Sequence, residues 1–336
     1  MSTQADQTNS TLLNDTNTSP NQIFSNSGLD KLFATLLLIF LIFGLPANVF
    51  SVRYFTGARR KKCISTSLYI AISIIDTGSS FSHLPVMVSL FAERAPVLFE
   101  SLAVCALWEV LFSFCQRMAL FLVMTLSLTR TIAITRPFYR MRRRSVVAGV
   151  TGYGVFLAAH FALSAVVKIG FVYGAKGGYC FRNIDEQTAF TVAHMVLLNI
   201  ETGLPPIVTF VSFVICIVQL RMTSVKTTEE VNRRAAVTVT IFTAVFLTCN
   251  IPYFVNMLLA LSGLFFKDVK ASLGNSAFMF YFWTVSKIHF TVLNASLNPI
   301  VYYCRMEKYR KSIRRVLPIK NMVTDISQSR FEMSSV

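Results

Sequence analysis

The sequence predicts an all-α membrane protein, a bundle of seven membrane-spanning helices. Three observations lead there. Of its 336 residues 54% are hydrophobic and only 14% charged, which is not a soluble composition. Seven apolar stretches are each long enough to cross a hydrocarbon core of ~30 Å, which takes about 20 helical residues. The basic residues between those stretches are crowded onto one side, as a chain that threads a membrane repeatedly requires.

The spans fall near Lys31–Tyr54, Ser67–Phe91, Leu102–Ile134, Ser145–Tyr173, Ala189–Leu220, Ala235–Leu261 and Ser276–Tyr303. The third is too long to lie wholly in lipid and is expected to project into water at its inner end, where Pro137 stops it. No internal repeat is present. Ahead of the spans, residues 1–28 form a polar tail rich in Ser, Thr and Asn. It has no apolar core, so it does not read as a cleavable signal peptide and is expected to be disordered. It holds sequons at Asn9, Asn14 and Asn17, a chance-prone pattern whose threefold occurrence in one tail favours a glycosylated, extracellular location.

Charge sets the orientation. With the tail outside, the outer side receives Lys31, Arg94, Lys176, Arg182, Lys267 and Lys270, and the inner side receives 23 basic residues against those six. That asymmetry places the C-terminus in the cytoplasm of a multi-pass plasma-membrane protein. The net charge of +16 then follows from topology and attraction to an anionic inner leaflet, and needs no nucleic acid.

Within the spans the residues that lipid does not tolerate mark the places that face other helices. Asn48 follows Pro46 in the first span, where a tolerated interface residue accounts for it equally well. Asp76 lies nine residues into the second span, about 14 Å deep. A carboxylate there is a functional candidate by default. Pro85 is expected to kink the outer half of the same helix. Arg117 is 12 residues below Cys105, about 18 Å deep, and Glu201 is ten residues below Thr191, about 15 Å deep. Opposite charges at matching depth invite an ion pair, either a bridge between two helices or the polar floor of a ligand cavity. Glu109, His194, Lys287 and His289 are placed to line such a cavity, although each alone reads as an interface or snorkelling side chain. The fourth span is rich in small residues, and the fifth is expected to break at Pro205-Pro206. The seventh concentrates Asn294, Asn298 and Pro299 in TVLNASLNPIVYY, so the bundle should be arranged around it.

Cys105 and Cys180 alone among seven cysteines face the oxidising side, and a disulfide is the natural reading, although sequence does not prove the pairing. The other five are expected to be reduced.

Taken together these features resemble the rhodopsin-like, or class A, family of G-protein-coupled receptors over all seven spans. Asn48 and Asp76 match the family's asparagine and aspartate of helices one and two. Cys105 and Arg130 stand 25 residues apart, as the family's disulfide cysteine and inner arginine do. Pro206 or Pro205 matches the proline of helix five, Phe246, Cys249 and Pro252 fit FxxCWxP, and Asn298 to Tyr302 read NPxxY. Tyr309 then follows on a short basic segment, which by the resemblance forms an amphipathic eighth helix. The resemblance implies a bundle over residues 29–304, that helix over 305–317 and a cytoplasmic tail over 318–336. It implies an extracellular ligand and a heterotrimeric G protein as partners within a lipid bilayer. Arg130, Asn298, Pro299 and Tyr302 would form the coupling switch, and Asn48, Asp76 and Asn294 the polar core.

The departures are specific. Thr129-Arg130-Thr131 lacks the acid that restrains the inner arginine, and Asn250 replaces the helix-six tryptophan. The fourth span has no tryptophan, and neither Phe213 nor Val214 supplies the helix-five tyrosine. No cofactor is expected: the resemblance implies sodium at Asp76, and Ala119 and Ala295 stand where hydroxyls are common, which weakens that expectation. Phe112 occupies the position of the aminergic aspartate and Val292 that of the retinal-binding lysine. Those two ligand chemistries are excluded, leaving a peptide or a small chemosensory molecule, in the manner of divergent orphan or chemosensory receptors. The candidate ligand set is Glu109, Phe112, Arg117, His194, Glu201 and Lys287.

Two other classes compete. A seven-span ligand-gated channel of chemosensory type has been described with the opposite orientation, so topology separates it. A transporter lacks support because no repeat is seen. No enzymatic activity is expected, since four scattered histidines form no nucleophile–base pair and no metal-ligand spacing.

Overall fold

The computed structural model describes residues 27–57, 63–92, 102–136, 138–139, 141–166, 172–173, 180–181, 189–222, 237–251, 254–255 and 277–316. Among them run the helices α1 (Ser27–Thr56), α2 (Ile64–Ala92), α3 (Leu102–Thr135), α4 (Arg143–Val166), α5 (Ala189–Met222), α6 (Val237–Ile251), α7 (Ala277–Arg305) and α8 (Glu307–Val316). The architecture is a seven-helix bundle with a short eighth helix.

α3 is the axis. It packs against α2, α4 and α5 along its length, while α1 packs against α2 and α7. α6 is tied to α3 by a hydrogen bond between the Ser127 and Thr243 hydroxyls at 2.8 Å. The shared core is apolar at Leu122, Val123, Leu126, Phe242 and Phe246. Large apolar side chains such as Phe43, Val155, Leu163 and Phe210 point outward instead. That distribution is inverted from a soluble protein and suits a lipid surround.

Four of the described helices are long and apolar enough to cross a membrane by length and composition, at Ala34–Thr56, Val110–Thr135, Arg143–Ser164 and Val196–Gln219. α2 and α7 each carry several polar side chains, and the fold turns them inward. Ser73, Asp76, Ser79, Ser80, Asn294 and Asn298 are all buried.

Two boundaries differ from the sequence expectation. The fourth span does not reach Tyr173, because α4 ends at Val166 and Val172–Tyr173 form β1. β1 pairs antiparallel with β2 (Cys180–Phe181), with Val172 opposite Phe181 and Tyr173 opposite Cys180. Gly170 is a poor helix former, and the Phe-Val-Tyr that follows suits a strand. The fifth span does not break at Pro205-Pro206, since α5 is one helix through both. Each proline removes one helical hydrogen bond. No water is on hand in an apolar surround to compensate for unwinding, and the packing of α5 on α3 keeps the remaining turns in register.

α8 is strongly basic and buries one aromatic side chain. Its Arg310, Lys311, Arg314 and Arg315 leave one face for Tyr309, which is fully buried among the Phe50, Tyr54, Phe55 and Tyr302 rings. The Tyr309 hydroxyl shares a 2.7 Å hydrogen bond with Ser51 of α1.

Candidate functional site

The polar centre is built around the proline of α7. Pro299 has no N–H, so the carbonyl of Ala295, four residues earlier, loses its helical donor. Asn48 of α1 supplies a replacement, donating its Nδ2–H to that carbonyl at 2.9 Å. One turn on, Asn298 donates Nδ2–H to Asp76 Oδ2 at 2.6 Å. The three helices α1, α2 and α7 are thereby joined through groups that lipid would leave unsatisfied, and joining them is what makes those residues tolerable. Asn294 is buried in the same region.

Below this centre Tyr302 is fully buried, with its ring edge-on to Phe55 and Tyr69 and parallel to Phe242 of α6. Its hydroxyl lies beside Ser73 but makes no well-aligned hydrogen bond there. A buried hydroxyl without a good acceptor is a costly arrangement. Tyr302 is therefore wedged by its ring and weakly held by its oxygen.

Besides Asn298, the Cys115 thiol of α3 lies near Asp76, and Ala119 and Ala295 are buried. Among the described residues no group of three or more acidic, histidine or cysteine side chains is gathered.

At the basic end of α3, Arg130 turns toward α2. Its Nη2–H donates to Ser65 Oγ at 2.5 Å, and the Tyr69 hydroxyl faces it from the same helix. Thr129, where an acid would be expected, folds back on its own helix, donating to the Leu126 carbonyl at 2.9 Å. Thr131 does the same to Ser127 and also reaches Cys216 of α5 at 3.3 Å. Arg130 is thus held by neutral hydroxyls of another helix. Sequence reasoning found the missing acid but not Ser65, because nothing in the spacing links residues 65 positions apart.

Arg117 and Glu201 do meet, with Nε 3.3 Å from Oε2. A third partner, which the sequence reading missed, is His160 of α4, whose Nδ1 lies 3.0 Å from Glu201 Oε1. Arg117 also lies over the Phe161 ring, 5.0 Å from its centroid, and donates to the Ser113 carbonyl at 3.3 Å. Arg117 and Glu201 are only 7% and 5% exposed. This geometry is a three-helix clamp among α3, α4 and α5, and it favours the bridge over the cavity floor. The signal for His160 was available: it is a lone histidine in an otherwise apolar, small-residue helix.

Phe112 is buried, stacked with Trp108 and edge-on to His83. The Trp108 Nε1–H donates to the Ser82 carbonyl at 2.5 Å, in the turn ahead of Pro85. Val292 is fully buried against Leu37 and Leu41 of α1. The side chains of Glu109, His194 and Lys287 lie outside the described residues, as do those of Cys105 and Cys180 and the sequons at Asn9, Asn14 and Asn17. β2, which carries Cys180, packs against α3. The described cysteines Cys63, Cys115, Cys216, Cys249 and Cys304 are free thiols.

Comparison with known proteins agrees with this layout. The structure is similar to the crystal structure of squid rhodopsin, with a TM-score of 0.65 at 16% identity over 87% of this chain and 86% of that one. In sequence, 88 residues are 33% identical to the alpha-1A adrenergic receptor of Cavia porcellus and of Homo sapiens. That match spans 26% of this chain and only 16% of those receptors. A family model described as 7 transmembrane receptor (rhodopsin family) matches residues 47–302. The chain is a multi-pass membrane protein and belongs to the rhodopsin-like family of seven-transmembrane receptors.

Proposed function

We propose that this receptor binds a peptide or a small chemosensory ligand on its outer side and activates heterotrimeric G proteins at its basic, cytoplasmic side, in the plasma membrane. The observation that carries the reading is the placement of Arg130. It sits at the basic end of the central helix, restrained by neutral hydroxyls of α2, Ser65 and Tyr69. A ligand that prefers a second packing of the helices shifts the population toward it. Residues that bind across helices, Asn298 with Asp76 and Asn48 with Ala295, provide the contacts that such a repacking exchanges. Arg130, once released, would donate to the exposed carbonyls at the C-terminus of a G-protein helix, where the dipole favours a cation.

Phe112 and Val292, apolar and buried, support exclusion of monoamine and retinal ligands even though a short stretch is similar to an adrenergic receptor. The channel reading has no support from the family. The deciding experiment is Arg130→Ala at matched surface density. Loss of ligand-independent and ligand-driven nucleotide exchange is expected; normal signalling overturns the proposal. Glycosidase sensitivity of Asn9, Asn14 and Asn17 in intact cells tests the orientation independently.

A further inference from the structure

A cavity of about 410 Å³ opens at the basic end between the start of α2, the end of α3 and the approach to α4. Arg130, Arg143, Ser65, Cys63, Thr129 and Tyr139 are among the residues that line it, and none of the described lining residues is acidic. Arg130 donates to Ser65 and faces the Tyr69 hydroxyl, and its buried Nε meets no hydrogen-bond acceptor among the described residues. Arg143 spends its Nε on Ser67 Oγ at 2.8 Å. Two guanidiniums with spare donors therefore face one space, and no described side chain lining it is acidic. Like charges so arranged are mutually unfavourable until an anion enters. The forks of arginine match the oxygens of phosphate, two at a time.

We propose that this cavity is a phosphate-binding site whose occupant supplies the negative charge that Thr129 does not. A phosphomonoester there bridges Arg130 to Arg143 and keeps Arg130 docked on Ser65, which lowers coupling; this consequence rests on the receptor reading. The chemistry has two sources, the headgroup of a phosphorylated inner-leaflet lipid or phosphate free in solution. The cavity lies where α2 begins and α3 ends at the basic side of the bundle, the side expected to meet the anionic inner leaflet, and that position favours the lipid.

Cys63 provides a direct readout, because it lines the cavity and its thiol is exposed. The test measures maleimide labelling of the Cys63 peptide by mass spectrometry, in full-length receptor in phosphatidylcholine nanodiscs. One arm adds phosphatidylinositol bisphosphate, a second adds inorganic phosphate in the buffer, and a third adds phosphatidylserine at equal charge. Labelling is expected to slow about tenfold with the bisphosphate lipid, the gain of one charge-assisted contact. Slowing by inorganic phosphate alone makes the source soluble and keeps the site. Arg143→Gln is expected to remove the protection, and Arg143→Lys to retain part of it. Unchanged labelling in both phosphate arms overturns the proposal, as does equal slowing by phosphatidylserine or protection that survives Arg143→Gln. Basal nucleotide exchange on a G protein is read in the same nanodiscs. Protection without a fall in exchange overturns the regulatory half alone, and absent exchange in every arm counts against the receptor reading instead.

Discussion

Gly44 of α1 sits so close to Ser296 of α7 that a Cβ at Gly44 would lie 2.2 Å from the Ser296 Oγ. That oxygen is not free to leave, since it donates to the Phe40 carbonyl at 2.9 Å. The close approach is what brings Asn48, one turn further along α1, within reach of the Ala295 carbonyl. Gly44→Val is therefore expected to push α1 from α7 and to cut surface expression several-fold. Gly44→Ala is expected to be milder and to be partly rescued by Ser296→Gly. Independent effects of the last two, in a double-mutant comparison of expression and detergent melting, would show that the two helices do not meet here.

The restraint on Arg130 comes from neutral hydroxyls, which lack the opposite charge and the two-oxygen fork that a carboxylate would offer a guanidinium. Measurable basal signalling is expected in consequence. Ser65→Ala should raise it and Thr129→Glu should lower it, each read as nucleotide exchange per receptor at the surface. A receptor silent in all three forms contradicts this account of Arg130.

Removing Arg117 leaves Glu201 buried with only His160 beside it. Breaking a buried pair from one side costs about 3–5 kcal/mol, while replacing both ends with apolar groups is often neutral. Arg117→Met is expected to lose most of its folded yield. Arg117→Met combined with Glu201→Leu should recover yield, and if that recovered double variant still responds to ligand, the triad is a clamp. If yield returns without response, the triad takes part in ligand recognition.

The Cys63 thiol titrates under competing influences. Burial pushes it up, but hydrogen bonds at Thr66 and the positive field of Arg130 outweigh that and leave it below its ordinary value of 9.0. The thiolate is the nucleophile, so alkylation of Cys63 should reach half its maximal rate at a pH below 9.0. Arg130→Gln and Thr66→Val should each move that midpoint upward, measured as labelling rate against pH at the Cys63 peptide. A midpoint that stays put in both variants would show that neither group reaches the thiol.

Much of this was legible in the sequence because it is local. Hydropathy located the first, second, third, fifth and seventh helices to within a few residues at each end, and the composition of the tail and loops set the expected orientation. The spacing of Asn48, Asp76, Arg130 and the Asn298–Tyr302 run pointed to the family without any structure. The two misplaced boundaries, at Tyr173 and at Pro205-Pro206, are places where local propensity competes with packing. A strand partner ended one segment early, and contact with α3 carried the other through its prolines.

Partnership was decided by the tertiary structure alone. Whether Asn48 caps the Ala295 carbonyl depends on the rotation of α1 about its axis, and on Gly44 allowing α7 so near. That Arg130 finds Ser65, and that Glu201 gathers His160 as well as Arg117, joins residues from different helices at equal depth. Depth follows from counting along one helix, but the direction a side chain faces is fixed only when the neighbouring helices are in place. The sequence by itself therefore determined that polar groups lie buried in this membrane bundle. Which of them meet, and so which contacts a ligand has to exchange, was settled by how the helices turn toward one another.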